Sequence, residues 1–160
     1  MKKRMFALIL VVLVFSLGAC SIDDPNKADE KPTYATKTVK NVDMKIKNVK
    51  RTEDGKGRHD MLRVNMKVTN HSNSKFGIGG GDFILKDKKA KKEYHVEPTA
   101  NNIGTEVAVD KSAEGSVIFS IDKDASKKLE LVYKPVVVKN SKTKAKELSK
   151  WTLTLPQKSE

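Results

Sequence analysis

Cys20 is the single cysteine of a 160-residue chain and the strongest nucleophile among its side chains. One thiol excludes an internal disulfide and a thiolate-only metal cluster. There are three imidazoles, His59, His71 and His95, and no two stand two or four residues apart. Those spacings are the ones that put two ligands on one face of a strand or helix. Asp122, Asp124 and Ser126 follow the spacing of a calcium loop but lack its glycine and its terminal bidentate acid. The two aspartates are expected to cap a turn between strands. The glycines of "FGIGGGDF" do not make a phosphate loop. A Walker loop needs Gly-Lys-Ser/Thr, whereas Gly81 is followed by Asp82, and the dinucleotide pattern from Gly77 fails at the same aspartate. A bulge or bend with positive φ is the expected role. No Gly-x-Ser-x-Gly elbow is present, and acidic pairs such as Glu53 and Asp54 lie in hydrophilic turns. The sequence offers no metal site, no cofactor site and no catalytic constellation.

The elements around the cysteine give its thiol a use. Lys2, Lys3 and Arg4 precede an apolar run, Met5 to Leu17, of 13 residues interrupted only by Ser16. That length suits the apolar core of a secretory signal, about 7 to 15 residues, and is short of the roughly 20 that span a membrane. Leu17-Gly18-Ala19-Cys20 closes the run and resembles the lipobox of bacterial lipoproteins. The resemblance implies cleavage between Ala19 and Cys20 and a diacylglyceryl group on the Cys20 sulfur. The mature chain would then have 141 residues and a side-chain charge of +9, against +12 for the whole sequence. It would be anchored at the cell membrane, facing outside. Residues 20–38 are polar and carry two prolines, so they are expected to form a disordered tether. Residues 157–160 are expected to be a short tail.

Between them, residues 39–156 alternate with period two. Val42, Met44 and Ile46 alternate with Asp43, Lys45 and Lys47, and Leu62, Val64, Met66 and Val68 with Arg63, Asn65, Lys67 and Thr69. Val117, Phe119 and Ile121, then Leu129, Leu131 and Tyr133, then Trp151, Leu153 and Leu155 repeat the pattern. One apolar face and one wet face is the signature of antiparallel sheets, and seven or more short strands predict a sandwich or barrel.

The stretch "VNMKVTNHSNSKFGIGGGDFILKDKKAKKEYHVEP" and the later "KSAEGSVIFSID" and "KKLELVYKP" carry a second resemblance. Over about residues 42–135 the chain resembles a family of small immunoglobulin-like domains of unknown function found on Firmicute surface lipoproteins and secreted proteins. Members often carry glycine in one turn where this chain has Asp110-Lys111. The resemblance implies an all-β, immunoglobulin-like antiparallel sandwich in the cell envelope, without implying an activity.

Residues 39–156 hold 25 basic and 15 acidic side chains. Ten of the lysines fall in two stretches, "KDKKAKK" (Lys86, Lys88, Lys89, Lys91, Lys92) and "KNSKTKAKELSK" (with Lys139, Lys142, Lys144, Lys146 and Lys150). Such runs usually form solvated loops and protected edges. Their functional use would be contact with an anionic envelope polymer or headgroups, with Lys86, Lys88, Lys89, Lys91, Lys92, Lys142, Lys144 and Lys146 as the contacts. Nucleic acid is not an expected partner, because the signal implies export and no aromatics interleave with these lysines. Two functions follow: a non-catalytic binding or accessory module, whose partner is an envelope polymer or another surface protein, and, alternatively, a lipoprotein that captures a small solute or metal ion.

Overall fold

The computed structural model describes residues 32–54, 56–135 and 145–158. Ten strands follow in order: β1 (Lys37–Val39), β2 (Val42–Glu53), β3 (Asp60–Asn70), β4 (Phe76–Gly79), β5 (Phe83–Asp87), β6 (Lys92–His95), β7 (Gly104–Val107), β8 (Ser112–Ile121), β9 (Lys128–Tyr133) and β10 (Ser149–Thr154). They form two four-stranded antiparallel sheets, β1-β2-β3-β8 and β10-β9-β5-β6, and a ribbon of β4 and β7. The fold is the all-β immunoglobulin-like sandwich expected from the sequence.

The inward rows supply one apolar cluster. Met44, Ile46, Leu62, Val64, Met66, Val117 and Phe119 come from the first sheet, and Phe83, Leu85, Leu129, Leu131, Trp151 and Leu153 from the second. The rings of Phe83 and Tyr133 meet at 5.3 Å, tilted by 50°, a geometry that aromatic pairs favour. Ile78 and Val107 of the ribbon join the same cluster.

In β2 the alternation changes phase. Ile46 lies opposite Met66 and Asn48 opposite Asn65, so Lys47 is the extra residue of a β-bulge. Beyond it Val49 faces Val64 and Arg51 faces Leu62, both on the core side, while Asn48 and Lys50 point outward.

The folded body starts earlier than the expected boundary at Val39. Tyr34 is buried, the Trp151 indole N–H donates to the Ala35 carbonyl at 2.9 Å, and β1 begins at Lys37. The apolar faces of Tyr34 and Val39 outweigh the polar composition around them. Lys158, expected in the loose tail, bridges to Arg51 in parallel and sets its ammonium 3.0 Å from Asp60.

The glycine stretch also departs from expectation. It forms β4 and a 3-10 turn, Gly80–Asp82, and positive φ occurs elsewhere, at Gly57. Gly80 is needed for room, since a Cβ there would lie 2.7 Å from the Asn102 side chain. Asp82 caps the turn by accepting the Gly79 N–H at 2.8 Å. Asp110, where the resembling family often has glycine, takes φ 56°.

Asp60 is fully buried, and its carboxylate accepts the Arg51 Nε–H at 2.7 Å. Burial pushes its pKa up, but Lys158 and Arg51 outweigh burial and hold it below the usual carboxylate value. A depressed carboxylate contributes stability above its unfolded pKa, about 3.9, and loses it as pH falls through the folded value. Arg51→Met should therefore cost about 3 to 5 kcal/mol at neutral pH and move acid unfolding to higher pH, as read by circular dichroism. Phe119→Ala, emptying the middle of the core, should cost about 3 to 5 kcal/mol in denaturant melts.

Candidate functional site

The basic stretch 86–92 is the β5–β6 hairpin, and its lysines are largely matched by acids. Lys86 lies opposite both Glu93 and Glu130 in the register of its sheet. Its ammonium contacts Glu93 at 3.2 Å and Glu147 more closely still. The Glu147 hydrogen bond raises the Lys86 pKa, and the same bond lowers that of Glu147. Lys88 reaches Glu130 at 2.9 Å, and Lys150 approaches the same carboxylate at 3.9 Å. Lys92 pairs with Asp122 and lies 5.2 Å from the centre of the Tyr94 ring, whose hydroxyl donates to Asp122 at 3.1 Å. Burial and this neighbouring carboxylate push the Tyr94 phenol up to about 12. The Asp122 side chain thus ties β6 to the end of β8, while its backbone carbonyl accepts the turn N–H of Ala125 at 3.1 Å.

Lys89 and Lys91 have no ion pair among the described residues, and Lys91 occupies a turn position with φ 54°. Lys146 is exposed. Lys139, Lys142 and Lys144, like Ala19 and Cys20, lie outside the described residues. The hairpin and the residues before β10 nevertheless meet through Lys86–Glu147 and through Glu130, which pairs with both Lys88 and Lys150. What they bring together is a row of alternating charge.

The histidines do not converge. His59 and His71 flank the two ends of β3, which at about 3.3 Å per residue sets them roughly 35 to 40 Å apart. Each sits near an aspartate, His59 3.9 Å from Asp54 and His71 3.6 Å from Asp43. No group of three or more His, Cys, Asp or Glu side chains among the described residues could hold a metal.

Sequence reasoning concentrated on the loops and passed over the outer face of β2 and β3, where the register puts Lys45 opposite Lys67 and Lys50 opposite Arg63. The signal was available: these residues are the outward members of the alternation that located the core.

The chain belongs to the family described as domain of unknown function DUF4352, whose profile matches residues 32–144. It is 27% identical over 152 residues to the uncharacterized lipoprotein YcdA of Bacillus subtilis strain 168, covering 90% of this chain and 42% of that protein. The crystal structure of YcdA superposes with a TM-score of 0.57 at 22% identity, over 77% of this chain and 39% of that one. That likeness shows the shared fold. The yjhA protein of Bacillus subtilis is a more distant neighbour, with a TM-score of 0.48 at 18% identity over 63% of this chain and 78% of that one. The chain spans less than half the length of YcdA. The resemblance read from the sequence holds: a Firmicute-type lipoprotein family, built on a domain of unknown function.

Exposed ion pairs of the hairpin kind contribute little. Lys88→Gln should lower stability by less than about 1 kcal/mol in about 0.1 M salt, and the difference should vanish near 1 M salt. Paired denaturant melts at the two salt concentrations read both quantities.

Proposed function

We propose that this chain is a lipid-anchored module of the cell envelope, held by Cys20 at the outer side of the membrane and acting by binding rather than catalysis. The observation that carries this reading is the placement of Leu17-Gly18-Ala19-Cys20. It closes a 13-residue apolar run and stands a short polar stretch ahead of the family match at residue 32. A relative named as a lipoprotein supports it. Each buried methylene of an acyl chain contributes about 0.8 kcal/mol, so a diacyl group holds where a single chain binds only marginally.

The partner is an envelope polymer or another surface protein. The excess of basic over acidic side chains in residues 39–156, 25 against 15, favours an anionic one. Family membership brings no stated activity with it. The described surface also lacks an apolar patch, its exposed large hydrophobics being Val109 and Leu148. Recognition through charge and hydrogen bonds fits that surface.

Metabolic labelling with a fatty acid tests the anchor. The parent protein should take up label and appear in the membrane fraction at the processed size. Cys20→Ser should remain an unlabelled precursor. Normal acylation of that variant would overturn the reading.

A further inference from the structure

The two sheets present opposite electrostatic patterns to solvent. On β10-β9-β5-β6 the charged rung runs Glu93, Lys86, Glu130, so Lys86 meets an acid on both sides. On β1-β2-β3-β8 the register sets cation against cation. Lys45 lies opposite Lys67, and Lys50 opposite Arg63, on the outward face. Lys47 is exposed at the bulge between them. None of these five cations has an ion pair among the described residues.

Cations directly across a strand pair destabilise a sheet, because their side-chain origins are only about 5 Å apart. Protection of an exposed sheet edge accounts for part of the pattern. β1 pairs only with Val42, Asp43 and Met44, which leaves much of β2 at an edge, where lysines and a bulge deter pairing with other chains. It does not account for Arg63 and Lys67, which lie on β3, hydrogen-bonded on one side to β2 and on the other to β8. A neutral residue there would remove the repulsion and keep the fold.

The two cationic pairs are separated by a rung of neutral hydrogen-bonding groups. Asn65 donates from Nδ2 to Asn48 Oδ1, and Ser116 donates from Oγ to Asn65 Oδ1 at 2.6 Å. This chain of bonds spans three strands and fixes the ground between the cations. Along β3, Lys67 and Arg63 are four residues apart, about 13 Å. The result is a stripe two strands wide, cationic at both ends and open along its length.

We infer that this stripe on β2 and β3 binds a linear polyanion of phosphate or phosphodiester units lying along the strands. The inference deepens the proposed envelope-binding function, and rests on it only for where the polymer is met. An extended face without a cavity cannot enclose one small anion, but a chain of regularly spaced charges can engage both pairs at once. A membrane plane fits less well. Pressed flat, the sheet would bring Glu114, opposite Lys67 on β8, and Asp43, beyond Lys45, against the same anionic surface. A chain reaching from the Lys50–Arg63 pair to the Lys45–Lys67 pair lies to one side of Glu114 and ends short of Asp43.

The test uses the full chain in detergent, with long-chain polyphosphate as the probe. Inorganic phosphate and mixed micelles containing phosphatidylglycerol serve as competitors. The parent should bind polyphosphate with an affinity that falls linearly in log–log form with salt. Replacing Lys45, Lys50, Arg63 and Lys67 together by Gln should weaken binding at least about tenfold and flatten the salt slope by roughly 3, at about 0.7 per contact on a single strand. Lys88→Gln, Lys89→Gln and Lys91→Gln combined should leave both nearly unchanged. The four-site variant should melt no lower than the parent, since it relieves two like-charge pairs; that reading separates lost binding from lost fold. Failure of the parent to bind, equal binding by the four-site variant, or displacement by phosphatidylglycerol micelles as effective as by free polyphosphate would each overturn the inference. Fatty-acid labelling at Cys20 reads the anchor separately, so the stripe can fail while the anchor stands, and the reverse.

Discussion

The bulge at Lys47 is the constraint on which both the buried charge and the exposed charge depend. A strand's side chains alternate strictly, so one inserted residue exchanges the faces of everything beyond it. Without the insertion, Asn48 and Lys50 would point into the core and Val49 into water. With it, Val49 packs against the core cluster, and Arg51 falls on the inward side, where its guanidinium reaches Asp60. The same shift turns Lys50 outward to stand across from Arg63. A single backbone irregularity thus assigns one cation to a buried clasp and its neighbour to the surface.

The clasp shows how the end of the chain is held. Asp60 has no exposure, so its charge is tolerable only with partners, and these come from β2 and from a residue far along the chain, Lys158. The Arg51 guanidinium also donates to the Lys123 carbonyl at 2.8 Å, and Lys123 pairs with Glu53. The β2–β3 hairpin, the β8–β9 turn and the segment after β10 therefore meet around one carboxylate. At the other end of β3, buried Asn70 plays a comparable part with neutral groups. Its amide donates to the carbonyls of Ser74 and Val107, and its side-chain oxygen accepts from Ser72.

Period-two alternation made the strands legible, because burial of Leu62, Val64, Met66 and Val68 and exposure of Arg63 follow from residue type alone. Long-range contacts were not legible in the same way. Nothing local to Tyr34 and Ala35, in a polar stretch with a proline nearby, signals that Trp151 will bond to that backbone. Gly80 is a glycine because Asn102 lies against it, and Gly115 because Ile103 would meet its Cβ at 2.8 Å. Both neighbours belong to the segment between β6 and β7, whose course no periodicity describes. The surroundings of the lysine runs were not legible for a related reason. A run of like charge in sequence says nothing about the acids that register sets beside it, and Glu93, Glu130, Glu147 and Asp122 come from four other places in the chain.

Charge in a β-sandwich is therefore a property of register before it is one of composition. Lys86 and Lys67 both lie outward on inner strands, β5 and β3. One is bracketed by Glu93 and Glu130, the other by Lys45 and Glu114. The first arrangement closes the field over a few ångströms, as ion pairs on a wet surface do, and leaves little for a partner to find. The second gives Lys67 an acid on one side only, and leaves Lys45, Lys50 and Arg63 across from cations or an apolar residue. They sit on strands whose inward residues, Met44 and Ile46 on β2 and Leu62, Val64 and Met66 on β3, are buried, so their spacing is set by the core rather than by a loop. An anionic chain meeting that face would find its contacts already ordered, and the entropic cost of ordering would fall on the polymer alone.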